Sequence, residues 1–149
     1  MKILVCTDGS KESGKALEEA VRLAGSCSIN EVAVIHVYEG NRDRPVIYEG
    51  YTFNREEMEE LKKLEKQEKE KRKDILTKAG ELFARNHIPV KTIFKEGHPA
   101  QTIAAVANEE GYDIIVIGSR GLGGLKQLFL GSVSNAVLHE ARTNVLVVK

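Results

Sequence analysis

Apolar residues gather in five short runs, separated by stretches in which they recur at helical spacing. The first run, Ile3 to Thr7, stops at Asp8-Gly9-Ser10, a turn signal. From about Ser13 to Gly25, Ala16, Leu17, Ala20 and Val21 fall on one face of a predicted helix, with Ser10 or Ser13 as its cap. Glu31 to Tyr38, rich in Val and Ile, predicts a second strand, and the length between the two strands suits a parallel crossover. Pro89 to Lys95 alternates as a third strand. Gly97-His98-Pro99 then opens a helix whose inner face carries Ile103, Val106 and Ala107 and which Gly111 ends. Asp113 to Ile117 predicts strand four, about Ser132 to Ala141 a helix, and Asn144 to Lys149 strand five.

One region departs from this rhythm. Glu39 to Asn54 holds Pro45, two glycines and the aromatic residues Tyr48, Tyr51 and Phe53, and predicts a long loop. Arg55 to Asn86 is helical, and 16 of the 20 residues from Arg55 to Asp74 are charged. Glu59–Lys63, Glu65–Lys69 and Glu68–Arg72 are acid-before-base pairs four apart, each worth roughly 0.2–0.5 kcal/mol. Apolar residues occur at Met58, Leu61 and Leu64 and then vanish until Ile75, so the middle of this helix is expected to stand in solvent rather than in a coiled coil.

Strands alternating with helices predict an α/β domain: a five-stranded parallel sheet between helical layers. In such sheets a ligand lies beyond the carboxyl ends of the strands, where strand order reverses. If strands one and four are neighbours, Asp8 and Gly118 open on the same crevice.

Composition narrows the partners. The 149 residues make one domain, 1–149, with 39–54 and 55–86 as an elaborated connection. Twenty-two basic and 22 acidic residues leave no net charge, which argues against a nucleic-acid partner held by charge attraction. Cys6 and Cys27 lack metal-ligand spacing and read as free buried thiols of a reducing cytoplasm. No run reaches membrane-spanning length, and the first residues enter a strand directly rather than forming a signal peptide.

The chemistry concentrates after strand four. Gly118-Ser119-Arg120-Gly121 follows the buried run, and Gly131-Ser132-Val133-Ser134 opens the next helix. Glycines let amides approach an anion, and a helix start offers unpaired donors and partial positive charge. The loop is neither a P-loop nor the dinucleotide fingerprint. Gly121, Gly123 and Gly124 also read as plain turn residues, Gly131 or Ser132 as a helix cap, and Arg120 and Lys126 as loop-solvating cations. Asp8 fits a turn or a ribose. His36, inside an apolar run, reads as a satisfied core histidine. His98 reads as a helix cap near the crevice, and His87 and His139 as surface residues. No metal cluster or nucleophile–base pair is legible.

Together these residues resemble the universal stress proteins. The likeness is carried by Ile3 to Ser10, Val34-Ile35-His36-Val37, Gly97-His98-Pro99-Ala100 and Asp113 to Gly121. That family's ATP signature is Gly, two residues, Gly, nine residues, Gly, then Ser or Thr; Gly118, Gly121, Gly131 and Ser132 match it in spacing. The resemblance implies a Rossmann-like, adenine-nucleotide alpha-hydrolase-like open sheet of order 3-2-1-4-5. It implies that Thr7, Asp8, Val37 and Ile117 surround the adenosine, and that Gly118, Gly121, Gly131, Ser132, Val133 and Ser134 surround ribose and phosphates, with Arg120 in reach. It further implies ATP as ligand, magnesium as its companion, a cytoplasmic homodimer joined through strand 144–149, and a stress-response switch read by a protein partner, with slow hydrolysis at most. An adenine-nucleotide-dependent enzyme of the same fold group and a dimeric scaffold without a ligand remain the alternatives.

Overall fold

The computed structural model describes residues 1–26, 28–40, 54–122 and 130–149. Among them the elements are β1 (Lys2–Cys6), α1 (Lys11–Ser26), β2 (Glu31–Tyr38), α2 (Arg55–Arg85), β3 (Lys91–Glu96), α3 (Pro99–Glu109), β4 (Ile114–Gly118), α4 (Ser132–Glu140) and β5 (Asn144–Val148). The strands pair in parallel in the order β3-β2-β1-β4-β5. The expected five-stranded α/β architecture and its strand order are therefore present. Residues 41–53 of the expected loop, and Cys27, lie outside the described residues.

Both sheet faces are covered, which is why the strands read as nearly continuous apolar runs. Ile3, Val5, Val32 and Val34 point to one side, where α1 contributes Ala16, Leu17 and Ala20 and α2 contributes Leu76, Ala79 and Phe83. Leu4, Ala33, Ile35 and Ile115 point to the other, against Ile103 and Ala107 of α3 and Val137 of α4. Phe83 and the central strand residues are wholly buried. No helix among the described residues is long and apolar enough to cross a membrane.

Most boundaries shift by a residue, and two larger differences have local reasons. α1 begins at Lys11 rather than Ser13 because Ser10 takes the cap: its Oγ accepts from Ser13 N at 3.2 Å, while the Ser13 hydroxyl donates back to Ser10 O at 2.9 Å. β3 begins at Lys91 rather than Pro89, since proline has no N–H to give the ladder.

The charged helix α2 starts with a capping box, in which Asn54 Oδ1 accepts from Glu57 N at 2.9 Å and the Glu57 carboxylate accepts from Asn54 N at 2.9 Å. Its ion pairs are not the three expected. Arg55–Glu59, Lys71–Glu68, Lys73–Glu70 and Lys78–Asp74 form instead. Arg72 leaves Glu68 and lies over the Tyr38 ring, 5.6 Å from its centre. Exposed side chains choose among near-equal partners, and the aromatic face adds a cation–π attraction.

At the amino edge of the sheet a polar clamp ties β1, β2 and β3 to the end of α3. Lys91 Nζ meets Glu110 Oε2 at 2.7 Å, Tyr112 Oη donates to Glu31 at 3.1 Å, and Lys2 Nζ donates to Glu110 O at 2.7 Å. The Lys91 hydrogen bond holds the Glu110 carboxyl below its usual range, and the same bond raises Lys91. A depressed carboxyl stabilises the fold above its unfolded pKa and stops doing so as pH falls through the folded one. A raised lysine stabilises below its unfolded pKa and stops above the folded one. Lys91→Met should thus melt slightly below the wild type at pH 7, the gap closing below about pH 4. Both groups face solvent, so the gap should also shrink in salt. Calorimetry across pH checks this; an unchanged gap at pH 3 contradicts it.

Candidate functional site

β1 and β4 are neighbours, with Val5 opposite Val116, so the chain order reverses between them. The crevice predicted by that reversal lies at their carboxyl ends, where Asp8 and the loop after Gly118 meet.

The β1 side is held by polar contacts. Thr7 N donates to Ile35 O at 3.0 Å, and the Thr7 and Ser13 hydroxyls lie 3.2 Å apart. Asp8 bridges two segments: Oδ1 accepts from Ser10 N at 2.9 Å, and Oδ2 accepts from Leu122 N at 3.2 Å. The aspartate at the tip of strand one is therefore already tied to the glycine loop after strand four.

The β4 side explains its glycines in two different ways. A Cβ on Gly118 would stand 2.7 Å from the carbonyl carbon and oxygen of Glu12 and 2.9 Å from Ser13 N. Gly118 is thus needed for close packing against the backbone of α1. A Cβ on Gly121 would instead fall on Asp8 Oδ2, so this glycine leaves space for the carboxylate.

The loop closes at a neck. Ser119 O accepts from Gly131 N at 2.7 Å and from Ser134 Oγ at 3.0 Å, and Ser134 Oγ lies equally close to Gly131 O. Ser134 is buried and fastens the loop ends rather than standing open. Above the neck, α4 starts at Gly131 with no side-chain cap, and its first helical bond is Asn135 N to Gly131 O. The Gly131 amide is used by the neck, so the donors this end can offer are the amides of Ser132, Val133 and Ser134. Ser132 is exposed. A helix start of this kind favours an anion through aligned amides and partial positive charge.

An apolar wall adjoins these donors. Val37 at the end of β2, Ile117 in β4 and Val133 in α4 belong to one cluster. The fold brings together Thr7, Asp8, Gly118, Arg120 and Gly121, and joins them to Gly131, Ser132 and Ser134 through the neck. Gly123, Gly124 and Lys126 lie outside the described residues. His98 is the cap residue of α3 as expected, but it caps by position only: its side chain makes no capping bond, and Pro99 at the first turn and the backbone supply the start. His87 and His139 are exposed, as expected.

Two residues near the site escape motif reading. Ser119 acts through its carbonyl, which no side-chain pattern reveals. His36 donates from Nδ1 to Thr7 O at 2.8 Å and stacks on Phe94 at 5.8 Å, fixing the strand end that presents Asp8. It is only half satisfied, because Nε2 is buried with no hydrogen-bond partner among the described residues. The hint was a histidine within an apolar strand.

Cys6 is a free, buried thiol whose pKa burial pushes up, with a further push from the Asp8 charge, so it is no nucleophile at neutral pH. Among the described residues no three His, Cys, Asp or Glu side chains gather as a metal site.

Comparison with known proteins fits this geometry. The universal stress protein family model matches residues 1–149. Universal stress protein YxiE of Bacillus subtilis is 36% identical over 149 residues, covering 99% of this chain and 98% of the relative. Universal stress protein MJ0577 of Methanocaldococcus jannaschii is 34% identical over 153 residues, covering 99% and 94%. Its solved structure superimposes with a TM-score of 0.75 at 29% identity over 99% of this chain and 94% of that one. At the level of fold alone, the Archaeoglobus fulgidus universal stress protein in complex with dAMP aligns with a TM-score of 0.67 and 22% identity, covering 100% and 98%. With the family model spanning every residue, the chain belongs to the universal stress protein family.

Proposed function

We propose that this protein binds ATP in the crevice between β1 and β4 and works as a nucleotide-dependent regulator rather than as a fast enzyme. The observation that carries the reading is the uncapped start of α4, tied to the end of β4 by the Ser119–Gly131–Ser134 neck, while Asp8 holds the same loop at Leu122. Its amides at Ser132, Val133 and Ser134 suit phosphate oxygens. Arg120 adds charge, and the glycines at 118, 121 and 131 let the backbone approach. Val37, Ile117 and Val133 offer an apolar surface to the base, with the Thr7 backbone beside it. Asp8 would exchange its Leu122 bond for a ribose hydroxyl, so ligand binding and loop position are coupled. The dAMP complex of a protein with this fold supports an adenine ligand.

The Ser132 hydroxyl suits one position on a magnesium ion whose other ligands are phosphate oxygens and water. Turnover is expected to be slow, because Asp8 is already bonded at both oxygens and no other base is evident among the described residues. A cytoplasmic homodimer through 144–149 fits β5, an edge strand whose Val145 to Val148 are only half buried. A stress-response role, with a protein that reads the loop, completes the proposal and is supported by the family likeness alone; neither net charge nor hydropathy suggests nucleic acid or membrane.

Calorimetry tests the reading. ATP should give saturable heat with the wild type and none with Gly121→Val, whose side chain displaces Asp8. No heat from either would favour a scaffold without a ligand, and equal saturable heats would place the nucleotide away from Gly121 and Asp8.

A further inference from the structure

At the carboxyl end of β1 the two sides of one residue part company. Cys6 stands beside Ile35 in the parallel register, and Thr7 N still donates to Ile35 O at 3.0 Å. Thr7 O takes a side chain instead: it lies 2.8 Å from Nδ1 of His36. A carbonyl only accepts, so Nδ1 carries the proton and Nε2 is left as an acceptor.

That bond fixes a direction. Side chains alternate between the faces of a strand, and Val32 and Val34 face α1 and α2. His36 projects to the same face, where its ring stacks on Phe94. Thr7 O is therefore turned toward α2. No peptide bond among the described residues is cis, and in a trans peptide the carbonyl and the following N–H point in opposite directions. The N–H of Asp8 is thus turned toward the other face, on which Val37, Ile117 and Val133 form the apolar wall. Among the described residues nothing accepts from it. The next two amides of the turn are occupied: Gly9 N donates to Thr7 Oγ1 at 3.3 Å and Ser10 N to Asp8 Oδ1 at 2.9 Å. The turn is also backed by α2, because a Cβ on Gly9 would stand 3.3 Å from Ile75 Cδ1.

Packing alone does not account for this histidine. Its side chain is 5% exposed, and Nε2 has no hydrogen-bond partner among the described residues. An unpaired buried acceptor is unfavourable, and a leucine would bury none.

We propose that His36 is a positioning residue for the ligand: resting on the nucleotide crevice inferred above, it holds Thr7 O on the α2 face and so presents the Asp8 N–H to an acceptor atom of the nucleoside. His36 itself does not touch the ligand. The crevice then grips its ligand by backbone amides at both ends, Asp8 for the nucleoside and the start of α4 for the phosphates.

Calorimetric titration and thermal denaturation of the full chain carrying His36→Leu or His36→Asn test this. Leucine keeps the apolar bulk and loses the donor. Asparagine sets an N–H where Nδ1 stood but buries further polar atoms. His36→Leu should bind both ATP and adenosine roughly three- to tenfold more weakly, as expected for one neutral hydrogen bond. His36→Asn should stay within about twofold of the wild type, although it should melt at the lower temperature of the two variants. Affinity that follows melting temperature would mean a purely structural histidine and would overturn the proposal, as would equal binding by all three chains. The wild type gives a check that needs no variant: the Asp8 amide signal should shift when adenosine is added, and a stationary signal would overturn the proposal. Any of these failures leaves the crevice standing if ATP still shifts the amides of Ser132, Val133 and Ser134. A wild type that binds neither ATP nor adenosine would overturn both.

Discussion

Gly118→Ala should lower stability by roughly 1–3 kcal/mol, the usual cost of forcing a methyl group into a packed site. The added carbon meets the backbone of Glu12 and Ser13 at 2.7–2.9 Å, and a helix backbone cannot turn aside as a side chain can. In a domain of this size each kcal/mol moves the melting temperature by about 2–4 °C. Gly121→Ala, three residues on in the same motif, should leave the melting temperature nearly unchanged, because it meets only the mobile end of Asp8. It should instead weaken nucleotide binding. Thermal denaturation of the two chains separates the roles; equal destabilisation would mean that position 118 has no special packing demand.

The second large effect is expected at Asp8. Asp8→Ala removes the acceptor of Ser10 N and Leu122 N, and with it the proposed ribose contact. A hydrogen bond to a charged group contributes about 1.5–3 kcal/mol, so ATP affinity should fall roughly 10- to 100-fold. Asp8→Asn keeps one acceptor oxygen and should fall less. The loss should be similar for ATP and adenosine, since Asp8 serves the sugar end rather than the phosphates. A loss confined to ATP would place Asp8 at the wrong end of the ligand.

The fold was legible in the sequence because its strands are buried on both faces and its turns are chemically marked. Val32 to Val37 has no polar alternation to hide, and Gly97, Pro99 and Gly111 punctuate α3 where expected. Strand order came from family likeness, not from periodicity, which carries no neighbour information. The candidate site was legible as a set of positions and not as a set of causes. Gly118 and Gly121 look alike in the motif, yet one serves α1 and the other Asp8. The resemblance implies Ser134 beside ribose and phosphates, but its hydroxyl is buried and closes the loop through Ser119 O. Such roles depend on backbone carbonyls and on the long-range approach of residue 8 to residue 122, neither of which leaves a local pattern. The ion pairs of α2 eluded spacing rules for a different reason: exposed lysines and glutamates have several partners of nearly equal energy.

The amide signals of Ser132, Val133 and Ser134, followed by nitrogen–proton NMR during titration, test the central claim most directly. ATP should shift all three, together with Gly121 and Leu122 as the Asp8 bond exchanges, and adenosine should leave the α4 amides almost unmoved. Shifts that spare residues 132–134 at saturating ATP would contradict a phosphate seat at the start of α4.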